Sequence, residues 1–157
     1  MHAIGGEVMT KEEIRQAHLG YLNWIDSLSK LNEEIANTPY KAGKWSPNEI
    51  IMHLAEWDRF TLVQRIPSMR EGEKLEAFPN FEAFNAKAAA LAHEQTFKET
   101  LSYAKQQRQK IIEQLEAIAE VEWDMVFYIG EHKETIRNYF TSFVEHDYHH
   151  RVQISAK

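Results

Sequence analysis

The sequence predicts an all-α fold, an up-and-down four-helix bundle with a short extra helix before its third long helix. Two observations point there. The 157 residues contain only six Gly and four Pro, and the composition favours Ala, Leu, Glu, Gln and Lys, as helices do. Three capping boxes also stand along the chain, each followed by apolar residues at three- and four-residue steps.

The first box is Thr10-Lys11-Glu12-Glu13. The Thr10 hydroxyl can accept the third amide of the helix while Glu13 reaches back to the Thr10 amide. Behind it Ile14, Ala17, Tyr21, Ile25, Leu28 and Ile35 form a stripe that ends before Asn37-Thr38-Pro39, so helix one is expected over 10–36. The second box, Ser46-Pro47-Asn48-Glu49, adds proline at the first helical position, where a missing N–H costs nothing. Ile50, His53, Leu54, Trp57, Phe60 and Thr61 then share a face until Pro67 kinks or ends the helix.

Arg70 to Asn80 reads as a charged connection, and Phe81 to Ala92 as the short alanine-rich helix. Thr96-Phe97-Lys98-Glu99 opens helix three, whose stripe Phe97, Leu101, Ala104, Ile111, Leu115 and Ile118 runs to about Ala119. Between Glu120 and Glu134 the period breaks, which predicts a loop across the bundle end. Thr135 then caps the last helix, carrying Ile136, Tyr139, Phe140, Phe143, His146, Asp147, His150 and Ile154. Residues 1–9 are expected to be a flexible N-terminal extension and 10–157 one domain.

Composition narrows the chemistry. Net charge is −6, with basic residues scattered among glutamates, so the clustered Lys and Arg that grip phosphate backbones are missing and nucleic acid is not expected as a partner. No apolar run approaches the roughly 18 residues of a membrane span, and MHAIGGEV lacks the apolar stretch of a secretory signal. A soluble protein with no membrane partner is predicted. There is no cysteine, which suits a reducing cytoplasm and leaves imidazole and oxygen as the only metal ligands.

Eight histidines are present. His146 and His150, four residues apart on one helix, project one turn above the other, a geometry in which two imidazoles can hold one metal. His150 falls near the centre of the buried face and His146 nearer its edge, whereas His149 points away. His53 falls between Ile50, Trp57 and Phe60, where a polar ring needs a partner, and is the natural third ligand. Asp147, Glu49 and Glu56 are candidates to orient a ligand or to act as a base. His18 reads as a boundary residue that could be a fourth ligand; His2, His93 and His132 carry no assignment. Trp24, Trp45, Trp57 and Trp123 read first as core or anchoring aromatics, one of them a secondary candidate for a substrate pocket.

Two segments carry a family resemblance: Lys44-Trp45-Ser46-Pro47 followed by His53-Leu54-Ala55-Glu56-Trp57, and His146-Asp147-Tyr148-His149-His150-Arg151-Val152-Gln153-Ile154. They resemble the DinB-like superfamily, which includes YfiT-like metal-dependent hydrolases and bacillithiol and mycothiol S-transferases. The resemblance implies a divalent metal on His53, His146 and His150, and three imidazole ligands would suit zinc or nickel. It also implies a hydrolase or thiol S-transferase acting on a small molecule, with a low-molecular-weight thiol as possible cosubstrate, and a homodimer. A non-catalytic bundle that binds metal or a small molecule is the alternative.

Overall fold

The computed structural model describes residues 8–155. Six α-helices follow in order: α1 (Lys11–Ser27), α2 (Glu33–Ala36), α3 (Pro47–Phe60), α4 (Phe81–Ala92), α5 (Phe97–Ala117) and α6 (Ile136–Ser155). All three capping boxes form, at Thr10, Ser46 and Thr96, and Thr135 Oγ1 accepts the Asn138 amide at the start of α6. The predicted N-terminal extension lies largely outside the described residues, as does His2. Met9 is tied down, its amide donating to Thr141 Oγ1.

Helix one is shorter than the expected 10–36. After Ser27 the chain tightens into a 3-10 turn at Leu28–Lys30, and Asn32 caps the separate single turn α2. Ala36 is buried there, while Ile35 is 46% exposed. The stripe up to Leu28 is real, and its continuation to Ile35 belongs to a different element.

The long helices form a four-helix bundle around two apolar clusters. One gathers Tyr21, Ile25, Ile50, Leu54, Phe97 and Leu101 among others. The second gathers Ile14, Ile111, Leu115, Trp123, Ile136 and Phe140 among others. The order in which each helix meets the clusters gives its direction: α1 and α6 run one way, α3 and α5 the other. The short helix α4 carries the chain back between α3 and α5, which is why those two are parallel. Helix α1 packs on α5 and α6, and α3 packs on the same pair.

A polar layer separates the clusters. His18 stands between Ile14 and Tyr21 on α1, Arg108 between Ala104 and Ile111 on α5, and Asp147 between Phe140 and Ile154 on α6. Asp58 occupies the matching level on α3. All four are buried, so His18 is central where the sequence placed it at an edge; Ala17 beside it is only half-buried.

Beyond Phe60, α3 widens into a π turn at Thr61–Arg65 and then a 3-10 turn at Ile66–Ser68, where Pro67 ends it. The two connections expected to be loops contribute a small sheet: β1 (Lys74–Leu75), β2 (Phe127–Ile129) and β3 (His132–Glu134), in the order β1-β2-β3. Strand β1 pairs parallel with β2, and β2 antiparallel with β3. The sheet lies outside the all-α expectation but is minor. Strands of two and three residues are too short for a period-2 pattern to register.

Candidate metal centre

His53 is the seventh residue of α3, and His146 and His150 lie one turn apart near the end of α6. One ring nitrogen from each lies within 4.8 Å of the others. The ring centroids of His53 stand 5.7 Å from His146 and 4.8 Å from His150. His53 and His150 are buried and His146 is exposed on its outer side, matching the expected phases. His149 is exposed and outside this cluster.

The hydrogen bonds divide the ring nitrogens by task. His150 Nδ1 donates to Gln153 Oε1 at 2.7 Å, which leaves the His150 Nε2 lone pair facing His146 Nε2 at 3.2 Å. Two nitrogens bound to one tetrahedral zinc at 2.0–2.1 Å stand about 3.3 Å apart. Both nitrogens of His53 are buried and have no well-formed hydrogen bond among the described residues, although the Asn85 side chain stands near enough to offset part of the lowering that burial imposes on the ring. A buried imidazole with neither nitrogen satisfied costs free energy, and a shared cation removes that cost.

Electrostatics keep these rings neutral. Burial, then the neighbouring His150 and His146, pulls His53 down to about 3. Burial, then His146, pulls His150 down to about 4. His146 is lowered by burial, by His149 and by Arg108. At neutral pH all three present lone pairs, the form a metal requires. The residues therefore fit a divalent cation of the borderline class that imidazole favours.

The cluster opens onto a cleft of about 360 Å³. His53 and His146 form one end. Trp57, Phe78, Phe81 and Phe143 supply aromatic walls, and Thr61, Asn85, Tyr139 and Ser142 supply polar atoms. Trp57 is the tryptophan that reaches the pocket: it stacks on Phe84 at 3.9 Å and donates from Nε1 to Asn85 Oδ1. Trp24 and Trp123 are buried in the two core clusters, and Trp45 packs beside His53 at 5.1 Å.

Each of the three candidate carboxylates already has protein partners. Glu49 completes the α3 capping box through the Ser46 amide and meets His93 Nε2 at 2.9 Å. Glu56 accepts the Tyr103 hydroxyl. Asp147 is held by Arg108, and none of the three lines the cleft.

Sequence reasoning missed the centre of the polar layer, Arg108. Its guanidinium, fully buried, donates to Asp58 at 2.8 and 2.9 Å and to Asp147 at 2.7 and 2.9 Å. It also donates to His18 Nδ1 at 3.3 Å and lies 3.6 Å over the Tyr21 ring. Burial opposes its charge, but Asp147 and Asp58 more than offset that and hold it well above the usual arginine value. Burial pushes Asp58 up to about 6 against the pull of Arg108. The signal was available: Arg108 interrupts the stripe between Ala104 and Ile111, and a cation there requires buried anions.

The DinB superfamily family model matches residues 19–154; the chain belongs to that superfamily. Its structure is similar to YfiT from Bacillus subtilis, described as a probable metal-dependent hydrolase with an unusual four-helix bundle topology. The TM-score is 0.76 at 17% identity, covering 93% of this chain and 84% of that one. No curated protein matches the sequence. Among the described residues no helix is long and apolar enough to cross a membrane.

Proposed function

We propose that the chain is a metal-dependent enzyme acting on a small molecule, with His53, His146 and His150 as ligands of one zinc or nickel ion. The observation that carries this reading is the pair of buried, unpartnered nitrogens on His53, facing two histidines whose lone pairs converge beside an aromatic cleft. Three neutral histidines leave positions open on a divalent ion, which when bound would lower the pKa of water or of a thiol to near neutrality. Gln153 fixes the His150 tautomer. Trp57, Phe78 and Phe143 supply the apolar walls that would keep bulk water from a bound ligand, and His53 and His146 reach the cleft from α3 and α6.

Hydrolysis is the first reading, in keeping with what YfiT is described to be. Thiol S-transfer is the second, favoured by a cleft whose lining holds no carboxylate to serve as a base for water. A chain without cysteine would take its sulfur from a low-molecular-weight thiol. The cytoplasmic setting enters this proposal through the absence of cysteine, and the thiol and the homodimer through family resemblance.

The test is elemental analysis of protein purified without a polyhistidine tag, followed by assay of ester and electrophile panels with and without bacillithiol or another thiol. One equivalent of metal and chelator-sensitive turnover are expected. Stoichiometric metal without turnover would leave the non-catalytic binding protein, and no metal at all would end both readings.

A further inference from the structure

The cleft carries an instruction about charge that the metal centre does not. No Lys, Arg, Asp or Glu is among its lining residues. The nearby cations stand behind its rings. Arg65 lies 4.6 Å from the Phe78 ring and donates from Nη1 to the Glu76 carbonyl, while Arg108 lies 4.9 Å from the Phe143 ring and is held by its two carboxylates. In the metal-free protein an ionised ligand entering such a cleft sheds water and meets no charged side chain in the lining, a large penalty; a bound divalent ion would offer a counter-charge to an anion only at the His53 and His146 end. A flat apolar body between Trp57, Phe78 and Phe143 meets no such cost.

A second observation gives the ligand one polar feature. Ser142 lines the cleft, is 5% exposed, and its hydroxyl has no partner among the described residues. It sits one turn before His146 on α6, and its hydroxyl, enclosed as it stands, reaches the cleft by rotation about χ1. Asn85, also in the lining, has spent its amide oxygen on Trp57 and stands beside His53, which leaves its NH₂ as a donor at that end of the cleft. Thr61 and Tyr139 are bonded to each other at 3.2 Å and close the far end. The unspent capacity near the metal end is therefore mainly that of donors, and donors ask for an oxygen acceptor.

We propose that this cleft selects an uncharged, aromatic or similarly apolar small molecule bearing one hydrogen-bond-accepting oxygen, an ester, amide or ketone, and that Ser142 and Asn85 read that oxygen. The volume, about that of a dozen waters, suits a molecule of one or two rings. This deepens the enzyme reading by naming the part of the substrate that lies away from the metal, and binding of that part does not require the ion.

The experiment uses metal-free protein, so that no probe can bind through the metal, and follows the Trp57 indole N–H by NMR, assigned with a Trp57→Phe variant. The probes are 4-phenylbutan-2-one, 3-phenylpropionate and 3-phenylpropylammonium. The ketone is expected to shift the Trp57 signal and to bind at least about tenfold more tightly than either ion. Ser142→Ala is expected to weaken the ketone roughly fivefold and to leave zinc affinity, measured by competition with a chromophoric chelator, unchanged. Equal or tighter binding of the carboxylate would overturn the proposal and hand the cleft to Arg65. Equal or tighter binding of the ammonium, no ketone binding, or indifference of the ketone to Ser142→Ala would also overturn it. Ketone selectivity without zinc binding would sink the enzyme reading alone, and zinc binding without ketone selectivity would sink this inference alone.

Discussion

Two buried polar clusters sit within a few residues of each other on the same helices, and they are built on opposite principles. Asp58 and Asp147 share Arg108, with His18 and Tyr21 completing the group, so each charge has a partner on another helix. His53, five residues before Asp58, has neither ring nitrogen satisfied, and His146, beside Asp147, meets only another imidazole. The charged groups of the first cluster are saturated, although His18 Nε2 and the Tyr21 hydroxyl beside them have no partner among the described residues; paired charges hold helices in place, whereas a ring with neither nitrogen satisfied leaves binding capacity for something brought from outside. The contrast marks the histidine cluster as the candidate site.

The largest effect that could break this division is at Arg108. Arg108→Met leaves two buried carboxylates facing each other and should cost about 3–5 kcal/mol of stability in urea unfolding, with added zinc stabilising variant and wild type equally. A larger gain from zinc in the variant would mean that the two clusters are one. His53→Ala is the converse: metal affinity should fall by more than the ~100-fold upper range typical of losing a supporting hydrogen bond, while unfolding stability of the metal-free protein stays close to wild type. A large stability loss would show that His53 has protein partners after all.

Acid sharpens the comparison. Between pH 6.5 and about 3 the unfolded His53 binds a proton that the folded ring refuses, so metal-free protein loses stability as pH falls through that window. Asp58 works the other way: its folded carboxyl, at about 6, takes a proton before the unfolded one at 3.8 does. Thermal unfolding of chelated protein from pH 7 to 5 should show a falling Tm, and His53→Ala should flatten the fall. A smaller effect is expected at Gln153→Ala, which frees the His150 tautomer and should weaken zinc about tenfold in a competition titration. The smallest is His149→Ala, with metal affinity within about twofold of wild type. A loss there equal to that from His150→Ala would refute the assigned helical phase.

Most of this was written in punctuation and period. The capping boxes at Thr10, Ser46 and Thr96 located three long helices, and the four-residue step from His146 to His150 with the inward phase of His53 located the histidine cluster. Three features escaped for separable reasons. Asn32 restarts the helical period after Lys30, and Ile35 happened to continue the old stripe, so two elements looked like one. The strands are too short to carry an alternation. The Arg108 network joins α3, α5 and α6 across 39 and 50 residues of sequence, and pairing at that distance needs the packing order of the helices, which periodicity alone does not supply. Simple alternation of direction was likewise displaced by α4, whose length is enough to return the chain.

The little sheet decides how a ligand gets in. Lys74 and Leu75 are pinned to Tyr128 and Ile129, the Glu76 carbonyl is held by Arg65, and Asn80 caps α4. Only Ala77, Phe78 and Pro79 lie between these anchors, and the proline ring stiffens one of the three. The cover over the cleft therefore has no hinge long enough to swing as a flap. Admission falls to rotation of the Phe78 and Phe81 side chains, which are exposed, and exposed side chains turn over in picoseconds to nanoseconds. Passage of a ligand through this doorway should not wait on backbone motion.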